Sequence, residues 1–244
     1  MNNETTTERE GVALRHGHAR SRLGAAQKSR VGVPAYLRYV NRPTGGWLAS
    51  ASYALNLTPN HLTALSAAFS FAAIAVLCLI HPSTLMAAAV TLSLLVGFAF
   101  DSADGQLSRV RGDGRPSGEW LDHVVDVAKT ASLHGAVLVS LYRFTDLAGS
   151  PWLLVPLGFG IVNVTFFFGM MLRDQLGGRP PRDAGTASLT RSLALLPMDY
   201  GTLCLIFATL ASTQLFLGFY TALFVSTCLF TIRSFRRAYL TLRN

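Results

Sequence analysis

Two consecutive stretches without a single charged side chain constrain this chain most. Residues 62–80 carry none, and residues 82–100 carry none. An α-helix rises 1.5 Å per residue, so roughly 20 apolar residues cross the ~30 Å hydrocarbon layer of a bilayer. Two such runs, separated by a His81-Pro82-Ser83 turn, predict a pair of antiparallel membrane helices. Further runs cover about 120–142 and 147–172. Residues 200–232 are uncharged and too long for one crossing, so they are expected to fold back near Ser212-Thr213-Gln214. The fifth span then starts near Leu193 and the sixth near Leu215. The predicted fold is all-α and polytopic, with six transmembrane helices. Composition agrees: half the residues are hydrophobic and 14% are charged, against about 25% charged in soluble domains.

The net charge of +8 would suit a nucleic-acid binder, but its distribution argues for membrane topology instead. With the N-terminus in the cytoplasm, the N-terminal arm, the 109–115 loop, the 173–191 loop and the C-terminal tail hold 19 of the 21 basic residues. Both termini are then cytoplasmic. The exceptions are Lys129, inside a span, and Arg143, outside. No nucleic-acid partner is expected; membrane lipid is.

Residues 1–33 are polar and basic and contain no apolar run. They are read as a disordered arm ahead of one membrane domain, 34–244. Residues 34–56 mix aromatic, apolar and basic side chains, among them Tyr36, Arg38, Tyr39 and Trp47. They predict an amphipathic interfacial segment of one or two short helices, broken at Pro43, Gly45 and Gly46. Cys78, Cys204 and Cys228 lie far apart in apolar runs and suggest neither a zinc site nor disulfides.

The chemistry concentrates in DSADGQLSRVRGDGRPSGEWLDHVVD, residues 101–126. Asp101 and Asp104 are three apart at the end of the second span; Asp122 and Asp126 are four apart at the start of the third. Each pair shares a helix face. A loop of about a dozen residues joins the helices as a hairpin and brings the pairs together at the cytoplasmic boundary. One acid at the bilayer centre costs on the order of 3 kcal/mol on insertion scales, and four close acids repel one another. Divalent cations remove both problems, and hard oxygen donors suit Mg2+ or Mn2+. Two such ions beside a phosphoryl group neutralise a diphosphate and assist its departure. Arg109 is placed to add charge-assisted bonds to it. Gly105 permits close backbone approach, and Gly118 leaves space beside Asp122 and Asp126.

The spacing Asp101-x2-Asp104-Gly105-x2-Ser108-Arg109-x8-Gly118-x3-Asp122-x3-Asp126 resembles the signature of the CDP-alcohol phosphotransferase family, an integral membrane family. Seven of eight fixed positions match, Ser108 standing where the family usually has Ala. Upstream, Thr58-Pro59-Asn60-His61-Leu62-Thr63 resembles the Pro-Asn-x-x-Thr segment that opens the first span of family members and contacts the donor. The resemblance covers roughly 34–240.

It implies an enzyme that moves a phospho-alcohol or phosphatidyl group from a CDP-alcohol to an acceptor hydroxyl and releases CMP. It implies two metal ions on Asp101, Asp104, Asp122 and Asp126, with Asp126 also the base, and donor contacts from Asn60, Thr63, Gly105 and Arg109. Asn60 also reads as a helix N-cap. Tyr39-Val40-Asn41-Arg42-Pro43 resembles members that use CDP-inositol, with CDP-diacylglycerol the competing donor. The resemblance admits a homodimer. Lys129 reads as a counter-ion or an acceptor-phosphate contact, and Asp199 as an interhelical bond or part of an acceptor pocket. His61, His123 and His134 show no ligand spacing and are assigned no metal. Three other functions compete for an acid cluster in a membrane: an intramembrane aspartyl protease, which four acids and a basic loop fit poorly, a cation transporter, and a non-catalytic homologue, against which the nearly intact motif speaks.

Overall fold

A computed structural model describes Gly17 and residues 21–23, 32–112, 114–177 and 188–243. The expected disorder of the arm falls mostly outside these residues. Within the arm, Leu23 is buried beside Val110 and Tyr53. The described residues form an all-α membrane protein with five helices long and apolar enough to cross a bilayer, and a shorter apolar one.

The interfacial segment begins with a π-helical turn, Leu37–Asn41, that runs directly into α1, Arg42–Ala54. The expected break at Pro43 and the two glycines does not occur. Pro43 falls in the first turn, where its missing N–H costs nothing. Gly45 serves packing: a Cβ there would lie 2.7 Å from Ser102 Oγ and 2.9 Å from Gln106 Nε2. Tyr39 and Trp47 remain exposed on the outer side.

Helix α2 spans Pro59–Leu79, α3 Thr84–Arg111 and α4 Pro116–Phe144. Ser83 starts α3 by accepting from the Met86 N–H at 3.2 Å, which satisfies one of the first-turn donors. At the far end, Arg143 donates to the Cys78 carbonyl at 2.5 Å. That basic residue, an exception to the charge asymmetry, completes the last turn of α2. Both α3 and α4 overrun their apolar segments. The connection is residues 112–115, not the expected dozen, because polar side chains continue the helices until Gly112 stops α3 with φ +68°.

Helix α2 packs against both α3 and α4, whereas α3 and α4 make no comparable contact with each other among the described residues. The arms of the hairpin are therefore spaced apart, with α2 packed against both. Gly97 sets the α2–α3 approach: a Cβ there would sit 2.7 Å from Ser70 Oγ and 3.1 Å from the Ser66 carbonyl. Gly97→Val is expected to destabilise the protein by about 1–3 kcal/mol, read as a lower melting temperature in detergent. Gly135, with nothing within 4 Å of a Cβ, supplies the control: Gly135→Ala should melt as the unmodified protein does.

A 3-10 turn, Pro151–Leu153, leads into α5, Leu154–Gln175. The segment expected to be the fifth span is not one helix and is not among the five of spanning length. It consists of α6, Leu189–Ala194, a 3-10 turn Leu196–Met198, α7, Tyr200–Ile206, and a 3-10 turn Phe207–Thr209. Pro197 within the break has no N–H for a helical bond. Asp199 lies at that break, not inside a span helix: its carboxylate accepts from the Gly201 N–H at 3.1 Å and the Leu37 N–H at 3.0 Å. Arg38 adds a bond to Ser192 Oγ at 3.1 Å. The interfacial segment is thus clasped to the interruption, and Asp199 makes a bond between elements distant in sequence. Helix α8, Thr213–Arg243, is the last described element.

The main core lies toward the end opposite the acids. Leu77, Met86, Leu94, Leu133, Phe159, Phe207, Phe216 and Tyr220 meet there. His134 joins α4, α5 and α8 in that core, bonded to Tyr220 and, at 2.8 Å, to Asn163.

Candidate active site

Asp101 and Asp104 lie on the last turns of α3, and Asp122 and Asp126 on the first turns of α4. Across the opening between these helices, Asp104 is within electrostatic reach of Asp122 and Asp101. Asp126 is within reach of Asp101 and Asp122. The structure therefore brings together all four acids singled out by their spacing.

Asp104 and the Asp101–Asp126 pair are held by different partners. Asp104 is buried and accepts from Thr63 Oγ1 of α2 at 2.7 Å. Lys129 Nζ lies 2.5 Å from Asp101 Oδ1 and 2.8 Å from Asp126 Oδ1, and donates to Ser66 Oγ at 3.1 Å. Lys129 is therefore the counter-ion that its position one turn past Asp126 suggests. One ammonium ties α2, α3 and α4 together at the level of the acids.

A cavity of 630 Å³ opens beside Asp104 and Asp122. Its wall includes Asn60 and Thr63 from α2, Gly105 and Arg109 from α3, and Gly118 from α4. All four expected donor-contact residues thus line one space. Asn60 is not the N-cap of α2. Thr58 takes that place in a capping box with His61: Thr58 Oγ1 accepts from the His61 N–H at 3.4 Å, and His61 Nδ1 from the Thr58 N–H at 3.2 Å. Asn60 faces the cavity, its Oδ1 lying 3.5 Å from where a Gly118 Cβ would be. A side chain at 118 would narrow the gap between α2 and α4.

Three basic cavity residues had no role assigned from spacing. Arg111 and Arg115 extend the basic wall begun by Arg109. His123, which was assigned no metal, lines the cavity and offers a ligand atom within 4.8 Å of ligand atoms on Asp122 and Asp126. Adjacency to Asp122 was the available signal, but next neighbours on a helix point in different directions. The segment 39–43 contributes nothing to the cavity wall. Asn41 is buried and donates to the Phe98 carbonyl at 3.1 Å, and the Arg42 carbonyl accepts from Gln106 Nε2 at 3.0 Å. Asn41 and Arg42 therefore pack on α3.

The fold and site together define a class: a polytopic helical membrane protein with an acid cluster and a polar cavity at one end of its bundle. A family profile described as CDP-alcohol phosphatidyltransferase matches residues 56–233, well over half the chain, and the chain belongs to that family. Membership places it among membrane transferases acting on CDP-alcohols. A comparison with curated proteins found no match.

Proposed function

We propose that this protein transfers a phospho-alcohol or phosphatidyl group from a CDP-alcohol to an acceptor hydroxyl and releases CMP, with two Mg2+ or Mn2+ ions. The observation that carries this reading is the convergence of acids from α3 and α4 beside a cavity walled by Asn60, Thr63, Gly105 and Arg109. The donor set fits the metals: Asp101, Asp104, Asp122 and Asp126 supply hard oxygens close enough to repel one another. The dications, when bound, neutralise the diphosphate and stabilise the departing CMP.

The chain's own residues do the rest. Asn60 and Thr63 border the donor, and Gly105 lets it approach α3 closely. Arg109 donates to the diphosphate oxygens. Asp126 accepts the proton of the acceptor hydroxyl as its oxygen attacks the alcohol-bearing phosphorus. The bond from that phosphorus to the CMP oxygen breaks, and CMP carries away its electron pair. Lys129 neutralises part of the acid charge between Asp101 and Asp126. The basic asymmetry of the loops supports a cytoplasmic site and cytoplasmic termini.

The test is to incubate the purified protein with Mg2+ and a panel of CDP-alcohols, including CDP-diacylglycerol and CDP-linked polar alcohols, with hydroxyl acceptors. CMP should appear with one donor–acceptor pair. Absence of CMP across the panel would count against catalysis. With the active pair, Arg109→Gln is expected to raise the donor KM by about tenfold to a hundredfold, since hydrogen bonds to charged groups contribute about 1.5–3 kcal/mol. A steady-state titration of the donor measures this.

A further inference from the structure

We propose that Lys129 makes capture of the second divalent ion conditional on the donor's diphosphate, an inference that rests on the metal-dependent reading above. Lys129 does not reach for water. Its ammonium is buried, and it has three acceptors: Asp101 Oδ1 at 2.5 Å, Asp126 Oδ1 at 2.8 Å and Ser66 Oγ at 3.1 Å. An ammonium has three N–H donors, so every donor is committed. Those acceptors come from three different helices, α3, α4 and α2, which fixes the charge in place.

The charge balance follows from this arrangement. Four carboxylates and one ammonium carry three net negative charges. One dication leaves a single negative charge. A second dication turns the cluster net positive beside a fixed ammonium, in surroundings where water screens poorly. A donor diphosphate lining up in the adjacent cavity restores the balance. The second ion and the donor therefore bind together, each strengthening the other, as reciprocal linkage requires. Without the ammonium, four negative charges match two dications and the nucleotide is no longer needed.

Equilibrium dialysis of the full-length protein in detergent against Mn2+, with and without CDP and with a protein-free CDP control, tests the proposal. The unmodified protein should hold one Mn2+ alone and two with CDP. Lys129→Met should hold two without CDP, its affinity for the second ion raised on the order of a hundredfold. Lys129→Arg, which keeps the charge, should behave as the unmodified protein, an outcome that a merely structural role would not produce. Should Lys129→Met fail to fold, Lys129→Gln carries the same expectation while keeping a polar contact to Ser66. Two ions in the unmodified protein without CDP, or a single ion in the neutral variants, would overturn the proposal. Loss of Mn2+ binding altogether, or binding indifferent to Asp104→Asn, would instead overturn the metal-dependent reading beneath it.

Discussion

Asp126→Asn is expected to lower kcat by about a hundredfold to ten-thousandfold at saturating metal and donor, the range a positioned general base contributes. The substitution suits the question because it removes proton acceptance while keeping shape. Asp126 receives a hydrogen bond from Lys129 at 2.8 Å, and the amide oxygen of Asn can accept that bond too. The ties of Lys129 to Asp101 and Ser66 also remain, so the helices should keep their places and the melting temperature should stay within a few degrees. Metal affinity should weaken as well, which is why the assay needs saturating Mg2+. Rate and stability measured on one preparation separate the outcomes. Undiminished turnover in a folded variant would remove the base from Asp126.

Removal of divalent ions is expected to abolish CMP release, and Mg2+ or Mn2+ added back should restore it. The reason is electrostatic. The acids of α3 and α4 lie within reach of one another, and of these acids the ammonium among them pairs with Asp101 and Asp126. Asp104, buried against Thr63, and Asp122 line the cavity where a diphosphate would add further negative charge. Without dications, donor and site repel each other. Asp104→Asn should raise the Mg2+ concentration for half-maximal activity by about tenfold or more, the effect of losing on the order of 1.4 kcal/mol of ion binding. Full activity in excess chelator would refute metal dependence.

Much of this arrangement is legible in the sequence because two periodicities are strong there. Uncharged runs of membrane length mark the crossings, and acids three and four apart mark the faces that converge. The rest depends on contacts between distant residues. The true ends of α3 and α4 were hidden because polar residues prolong a helix beyond its apolar part, and Gly112 rather than the last apolar residue stops α3. The interruption between α6 and α7 shows a proline, but the partner that stabilises it is the Leu37 amide, 162 residues away. Lys129 announces its pairing with Asp126 by spacing; its contacts with Asp101 and Ser66 exist only after three helices assemble. Asn60 and Thr58 compete locally for the same capping role, and the capping box with His61 decides for Thr58.

The surplus length of α3 and α4 bears on what kind of molecule this site can serve. A helix of 28 residues, as α3 is, extends about 42 Å at 1.5 Å per residue, beyond the ~30 Å oily slab. With Thr84 set at one face of such a slab, Asp104 lies about 30 Å along α3, at the opposite face, and Asp101 just inside it. A reactant anchored by acyl chains would offer its phosphate or hydroxyl at that depth with its tails still dissolved in the leaflet, while a water-borne partner arrives from the opposite side. If the proposed donor is a lipid, it would then react without being extracted from the leaflet, a step that carries a large hydration penalty.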